Sequence, residues 1–315
     1  MQIKFVGHMK ILRSLAVYLI LILMVLLSLL PLCVHHLFAN ILAFILHKVV
    51  KYRVKVVNLN LTKAFPDLSL EEIQHISKDY YLHIADIFCE VIWSLTRPYS
   101  YIKKKGVFTV EGDQQLAEAF EKYGNLMVML GHSGNWELFI GFPVYCDNAN
   151  FDYSQVFTAY HPMSSRFSEE LFKKMRCFHQ VTEENLLPSK NILRQVLSHR
   201  DEPRIYFFIA DQCSGGKGQV ETNFLGLQTK WLAGAEAVAG KVGMPVAYVG
   251  IDKIGRSRYV ARCEMLTEGP SDCPLGDITT AFTKKLERDI KANKVNWLWS
   301  HKRWKNILNY KNINK

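Results

Sequence analysis

Leu126-Met127-Val128-Met129-Leu130-Gly131 leads directly into His132-Ser133-Gly134-Asn135-Trp136-Glu137. The first six residues are apolar or small and are bounded by Gly124-Asn125 and Ser133-Gly134, which predicts a buried strand ending in a tight turn. Asn135 is placed to cap a following helix through Trp136, Leu138, Phe139 and Ile140. His132 then stands at the C-terminal end of the strand, the edge of an open α/β sheet where loops carry reactive groups.

His132 and Glu137 are five residues apart, so on a continuous helix their side chains would point about 140° apart. A strand-turn-helix path can bring them together, with Gly134 letting the backbone fold back. Paired in that way, the carboxylate would fix the ring tautomer and make His132 a general base. The competing reading is structural: Glu137 occupies a first helical turn because the helix dipole favours acids there, and His132 is an ordinary loop residue.

Working outward, residues 14–32 carry no charge and are as long as a hydrocarbon core is thick. Lys4, Lys10 and Arg13 precede them as the basic region of a signal peptide would, but no small-x-small cleavage site follows Pro31, which favours an uncleaved anchor. Residues 37–50 predict an interfacial helix leading into the basic collar Lys51-Tyr52-Arg53-Val54-Lys55. Positive charge flanks the anchor on both sides and leaves its orientation open. The seven cysteines, at 33, 89, 146, 177, 213, 263 and 273, are odd in number and lack Cys-x-x-Cys spacing. That pattern favours a reducing compartment and argues against a disulfide framework or a zinc site.

Residues 1–55 read as anchor and interfacial segment, and 56–315 as one catalytic domain without an internal linker or repeat. Candidate strands at 107–111, 126–131, 155–160, 204–210, 245–251 and 258–265 alternate with candidate helices at 70–95, 114–122, 164–177, 190–198 and 233–242. The alternation implies an α/β fold around a mostly parallel or mixed sheet. The net charge of +10 suits an anionic partner, with basic clusters at Lys48-Lys51-Arg53-Lys55, Lys103-Lys104-Lys105 and Lys302-Arg303-Lys305. Each cluster also reads as plain solvated charge. No nucleic-acid signature accompanies them, and the anchor points to a lipid surface instead.

Gly131-His132-Ser133-Gly134-Asn135-Trp136-Glu137, the segment Lys51 to Pro66 with its Asn-Leu-Thr-Lys-Ala-Phe-Pro ending, Asp211-Gln212, and Trp297-Leu298-Trp299-Ser300-His301-Lys302-Arg303-Trp304-Lys305 together closely resemble the bacterial lipid A biosynthesis acyltransferases. The resemblance spans nearly the whole chain. It implies a glycerolipid-acyltransferase-like mixed sheet flanked by helices, with an N-terminal membrane helix. It further implies late acylation of a lipid A precursor from an acyl carrier protein thioester, on the cytoplasmic face of the inner membrane. That chemistry needs a base for the alcohol and donors for the oxyanion, and no cofactor or metal. His132 would be the base and Glu137 its orienting acid, with backbone N–H groups near Gly134 as candidate oxyanion donors.

Substrate contacts are expected from Asn135, Tyr160, His161, Arg166, Asp211, Gln212 and Arg303. The family commonly shows Tyr-Arg-Pro where this chain has Tyr160-His161-Pro162. A histidine there weakens the case for a phosphate contact, and Arg166 is the nearest compensating cation. Asp211 has a plainer alternative role as a loop cap. The glycine-rich loop 214–218 lacks the Gly-Lys-Ser/Thr ending of a nucleotide-binding loop, and Cys213 lacks the His/Asn context of a nucleophile. Trp297, Trp299 and Trp304 suit either a headgroup interface or a core. The rival readings are an acyltransferase of the same fold acting on an aminolipid, a glycolipid or a pigment precursor, and a non-catalytic membrane lipid-binding protein.

Overall fold

The computed structural model describes residues 2–212, 219–305, 307, 308 and 310, with side chains from Ile11 onward; Cys213 and the glycine-rich loop lie outside the described residues. Two apolar helices, α1 (Gln2–Ser28) and α2 (Leu32–Phe44), come first, the second continuing into a wider π-type turn at Ile45–Val49. Then follow α3 (Val54–Ala64), α4 (Leu70–Ser94), α5 (Tyr99–Lys104), β1 (Phe108–Glu111), α6 (Asp113–Tyr123), β2 (Asn125–Leu130), α7 (Phe142–Tyr145), β3 (Val156–Tyr160) and α8 (Arg166–Arg176). The chain continues through β4 (Leu186–Pro188), α9 (Ile192–Ser198), β5 (Arg204–Ile209), β6 (Gln219–Phe224), β7 (Leu227–Leu232), α10 (Gly234–Val242), β8 (Val246–Gly255), β9 (Arg258–Thr267) and α11 (Asp277–Ala292).

Seven strands form one mixed sheet in the order β1-β9-β8-β2-β5-β3-β4, in which β8 and β9 are antiparallel and the other neighbours parallel. The apolar continuity of β2 has a direct cause, since both faces of a central strand are covered. Met127 and Met129 enter a core with α3, α4, α10 and α11, whereas Leu126, Val128 and Leu130 enter a second core with α5, α6 and α7. All six candidate strands are present, and so are the candidate helices at 70–95, 114–122, 164–177, 190–198 and 233–242, with shifted ends. Ser69 opens α4 with a capping box: its hydroxyl accepts from the Glu72 N–H while the Glu72 carboxylate accepts from the Ser69 N–H at 2.7 Å.

Several elements escaped the periodicity, among them the β6–β7 hairpin, α11 and α3. The hairpin β6–β7 turns at Leu225 and Gly226, both with positive φ, and Leu225 is held there because its N–H donates to Glu287. Helix α11 is capped from outside itself: the buried Glu236 carboxylate of α10 accepts from the N–H groups of Gly276, Ile278 and Thr279. Helix α3 follows a turn in which Lys51 and Arg53 both adopt positive φ, with Arg53 donating to the Ser300 carbonyl.

The N-terminal run differs from the expected unbroken span at 14–32. The helix stops at Ser28 and a new one begins at Leu32, after Pro31. The apolar windows Ile11–Ser28 and Leu32–Val49 are each long and apolar enough to cross a membrane, and residues 37–50 continue the apolar segment that starts at Leu32. Arg97 caps the break, donating to the carbonyls of Ser28 and Leu30. Nearer its start, α1 is tied to α8: Arg13 and Ser14 donate to Glu170, and Lys174 donates to Tyr18.

Leu286 of α11 lies fully buried beneath the end of β2. Leu286→Ala is expected to cost about 2–5 kcal/mol by leaving a cavity there, measured as a lowered denaturant midpoint of the full chain in detergent.

Candidate active site

The parallel register of β2 and β5 builds the site. Leu130 stands beside Ile209, and the Ala210 N–H donates to the Leu130 carbonyl, so two residues further along each strand His132 and Asp211 face each other at one sheet edge. The His132 N–H donates to Asp211 Oδ2 at 2.9 Å, and His132 Nδ1 lies 2.6 Å from Asp211 Oδ1. An ionised carboxylate can only accept, so Nδ1 carries the proton and Nε2 is left with its lone pair. Asp211 is almost wholly buried, while the His132 side chain keeps 19% of its surface exposed. The imidazole therefore reaches solvent and its carboxylate partner does not.

Burial alone would raise the Asp211 pKa. The facing His132 charge, the two bonds from His132 and a third from Trp297 Nε1 at 2.8 Å outweigh it and hold the carboxyl at about 2. Trp297 belongs to a C-terminal segment that runs along the turn after β2: Ser133 bridges to Trp297, Gly134 N–H donates to the Asn296 carbonyl, and Leu298 N–H donates to the His132 carbonyl. Gly134 adopts φ +58°, and a Cβ there would stand 2.4 Å from Ile251 Cγ2 and 2.9 Å from the Ile251 carbonyl oxygen. Glycine is required for that close approach to β8.

Several expectations change. The partner of the His132 ring is Asp211, not Glu137. The five-residue path does not form a regular helix; it makes a bend and a 3₁₀ turn at Leu138–Gly141, which sends Glu137 toward α8. There Arg176 donates to it twice, at 3.0 and 2.7 Å. Burial pushes the Glu137 pKa up, but Arg176, and to a smaller degree His132, bring it below the ordinary range. The Gly134 N–H is engaged by Asn296 and does not serve as an oxyanion donor. Asn135 is fully buried under the turn, its Nδ2 donating to Glu90 and its Oδ1 accepting from the Leu138 N–H, so it does not face substrate.

Tyr160 and Gln212 lie with His132 and Asp211 at the C-terminal ends of β3, β5 and β2. The Tyr160 hydroxyl donates to Glu169, and the Gln212 amide nitrogen lies 3.3 Å from His132 Nδ1 and 3.5 Å from Nε2. His161 is exposed beside Ser189, and Arg166 is exposed at the start of α8. The cation that reaches the site is Arg176, at the opposite end of that helix. Arg303 does not face substrate; it is buried over the Trp231 ring and donates to the Lys230 carbonyl. Trp297, Trp299 and Trp304 are core residues with their indole N–H groups bonded to Asp211, the Lys294 carbonyl and Thr229. His301 is partly buried within electrostatic reach of Asp211 and His132, and burial lowers its pKa to about 4, which keeps the ring neutral.

Arg176 and Trp297 are the contributors that sequence reading missed. Arg176 lies within the candidate helix 164–177 with no local pattern to mark it, and Trp297 suits a headgroup interface as well as a core. An apolar hollow lies behind the Glu137–Arg176 pair, lined by Leu95, Leu138, Ile140, Phe172 and Met175.

The family model described as bacterial lipid A biosynthesis acyltransferase matches residues 2–306, nearly the whole chain. A comparison with curated proteins finds no match.

Because the Asp211 pKa falls from 3.8 to about 2 on folding, its ionised form stabilises the fold above about pH 4, and that contribution is lost as pH drops toward 2. The shift corresponds to about 2 kcal/mol. Asp211→Asn is expected to flatten the acid limb of the stability profile between pH 4 and 2, read by thermal unfolding. It should also cut turnover at neutral pH by about 10²- to 10⁴-fold, because an amide can present N–H to Nδ1 and invert the tautomer.

Proposed function

This chain belongs to the bacterial lipid A biosynthesis acyltransferase family, and from that premise we propose that it moves a fatty acyl chain from an acyl carrier protein thioester to a hydroxyl of a lipid A precursor. The single observation that carries the catalytic assignment is the His132–Asp211 pair at the C-terminal edge of β2 and β5. His132 Nε2 takes the proton of the acceptor hydroxyl as its oxygen attacks the thioester carbonyl. The tetrahedral centre collapses with cleavage of the C–S bond, and the imidazolium returns the proton to the leaving thiolate. Asp211 stabilises the imidazolium between those two transfers.

The oxyanion requires donors close to Nε2, and the Gln212 amide is within reach of an oxygen held there. The Arg176 guanidinium, partly exposed and fixed by Glu137 in a fork-to-fork pair, supplies positive charge beside the turn for an anionic substrate group or the developing charge. Glu137 thus acts by positioning Arg176. Residues 56–315 carry the chemistry in this reading. The two apolar helices within 1–55 hold the domain at the cytoplasmic face of the inner membrane, where the exposed leucines and isoleucines of α1 and α2 meet lipid.

A different amphipathic acceptor is the second reading, and the exposed His161 at the family's usual arginine position favours it. Mass spectrometry of lipids from cells with and without this chain separates the two. An added acyl mass on lipid A supports the first reading, whereas unchanged lipid A with a newly acylated lipid elsewhere moves the substrate. His132→Ala is expected to abolish whichever mass shift the wild type produces. Arg176→Lys, which keeps the charge but loses the fork, should reduce that activity by about 10- to 100-fold. An Arg176→Lys enzyme as fast as wild type would remove Arg176 from the reaction.

A further inference from the structure

Under the catalytic turn lies a fully buried carboxylate that the acyl transfer does not use. Glu90 of α4 has no exposed surface and accepts three hydrogen bonds: from Asn135 Nδ2 at 2.7 Å, from the Ser257 hydroxyl at 2.6 Å and from the Tyr259 hydroxyl at 2.9 Å. The neighbouring cations Lys253 and Arg256 are bonded to Asp86, one helical turn earlier. Burying a carboxylate on neutral donors is costly, and stability alone would be served as well by apolar packing. Burial also pushes the Glu90 pKa up. The question is what such a group achieves at this position.

Its partner answers it. The Asn135 amide has two unlike ends, and an oxygen-for-nitrogen flip would invert both of its bonds. With the Ser257 and Tyr259 hydroxyls also donating to it, Glu90 presents acceptor oxygens on every side, and Nδ2 rather than Oδ1 faces it. Oδ1 must then point the other way, where it accepts from the Leu138 N–H at 3.2 Å. The Leu138 N–H also donates to the Asn135 backbone carbonyl at 3.2 Å, so side chain and backbone together close the turn from Asn135 to Leu138, and inside the turn stand Trp136, whose ring packs against the His132 ring at 5.2 Å between centroids, and Glu137, which holds Arg176. The same carboxylate orders the far side of the network. Because the Ser257 proton goes to Glu90, His36 Nε2 donates to Ser257 at 2.7 Å, joining apolar helix α2 to the array.

We propose that Glu90 is a positioning residue for the acyl transfer: through the enforced orientation of the Asn135 amide it fixes the turn that sets Trp136 against His132 and Glu137 against Arg176. The inference rests on the acyltransferase reading for its kinetic consequence, though not for its geometric one.

The test is a dipole swap in the full-length chain. Asn135→Asp keeps the acceptor for the Leu138 N–H but sets two carboxylates face to face, and kcat should fall at least 100-fold with KM changed less than threefold. Adding Glu90→Gln supplies an amide that donates to the new carboxylate, and the double variant should recover to within about tenfold of wild type. The ¹⁵N-edited indole resonance of Trp136, identified by its loss in Trp136→Phe, follows the turn without reference to any substrate. It should move in the single variant and return in the double.

A double variant no faster than Asn135→Asp, with its indole signal still displaced and its melting temperature at the wild-type value, overturns the proposal. So does a swap that restores the melting temperature while kcat never fell, since that outcome makes Glu90 structural only. Should wild type transfer nothing to a lipid A precursor, the substrate reading fails, and the indole swap still decides whether Glu90 sets the turn.

Discussion

The His132–Asp211 pair depends on two parallel strands being in register. β2 and β5 are far apart in sequence, yet with Leu130 beside Ile209 the next two residues on each strand deliver His132 and Asp211 to one level of the sheet edge. A slip of one residue would reverse which side of the sheet each side chain points to, removing the carboxylate from the ring. The apolar side chains of β2, buried on both faces, resist such a slip because it would exchange the contents of two differently shaped cores. Packing of Met127, Met129, Leu126, Val128 and Leu130 is therefore what fixes a hydrogen bond several residues away.

That hydrogen bond is also why the C-terminal segment matters. A buried aspartate is tolerated only where its oxygens are satisfied, and Asp211 draws its donors from two places, the His132 backbone and ring and the Trp297 indole. The segment reaching Trp297 is itself held by α3 and α4. Arg53 and Asn60 donate to the carbonyls of Ser300, Trp299 and His301, and the Ser300 N–H donates to Tyr80. The tryptophans that suited a headgroup interface are instead the means by which the chain's end locks its catalytic edge, each indole body filling the core and each N–H finding a partner.

What could be read from the sequence follows from how local its cause is. A central strand covered on both faces shows as an unbroken apolar run, and a capping box shows as Ser69 with Glu72, so β2 and α4 were legible. The partner of His132 was not, because register between distant strands leaves no local trace; Glu137, five residues away, stood in for it. Nor was α11, whose N-terminal amides are satisfied by Glu236 of another helix rather than by a cap of its own. The turn at Leu225 breaks the rule that positive φ calls for glycine or asparagine, and only the tertiary bond from its N–H to Glu287 accounts for it. Asn135 does not cap the expected helix: the 3₁₀ turn starts after Glu137, Asn135 accepts from the Leu138 N–H, and the carboxylate that orients it comes from α4, which local sequence does not show.

The same distinction bears on the apolar helices. Composition shows that α1 can sit in lipid, but not how it meets the rest of the chain. Arg13 and Ser14 bond Glu170 of α8 near one end, and Arg97 caps the other at Ser28. At 1.5 Å per residue those attachments are about 22 Å apart, less than the roughly 30 Å of a hydrocarbon core. Helix α1 is therefore fastened along its length to the domain that holds the site. Because α8 carries Glu170 and Lys174 on α1 and ends in Arg176 on Glu137, the guanidinium beside the catalytic turn takes its position from the helix with the most apolar surface. If that surface rests in lipid as proposed, an acceptor with its acyl tails in the same layer would meet Arg176 and His132 at a fixed height.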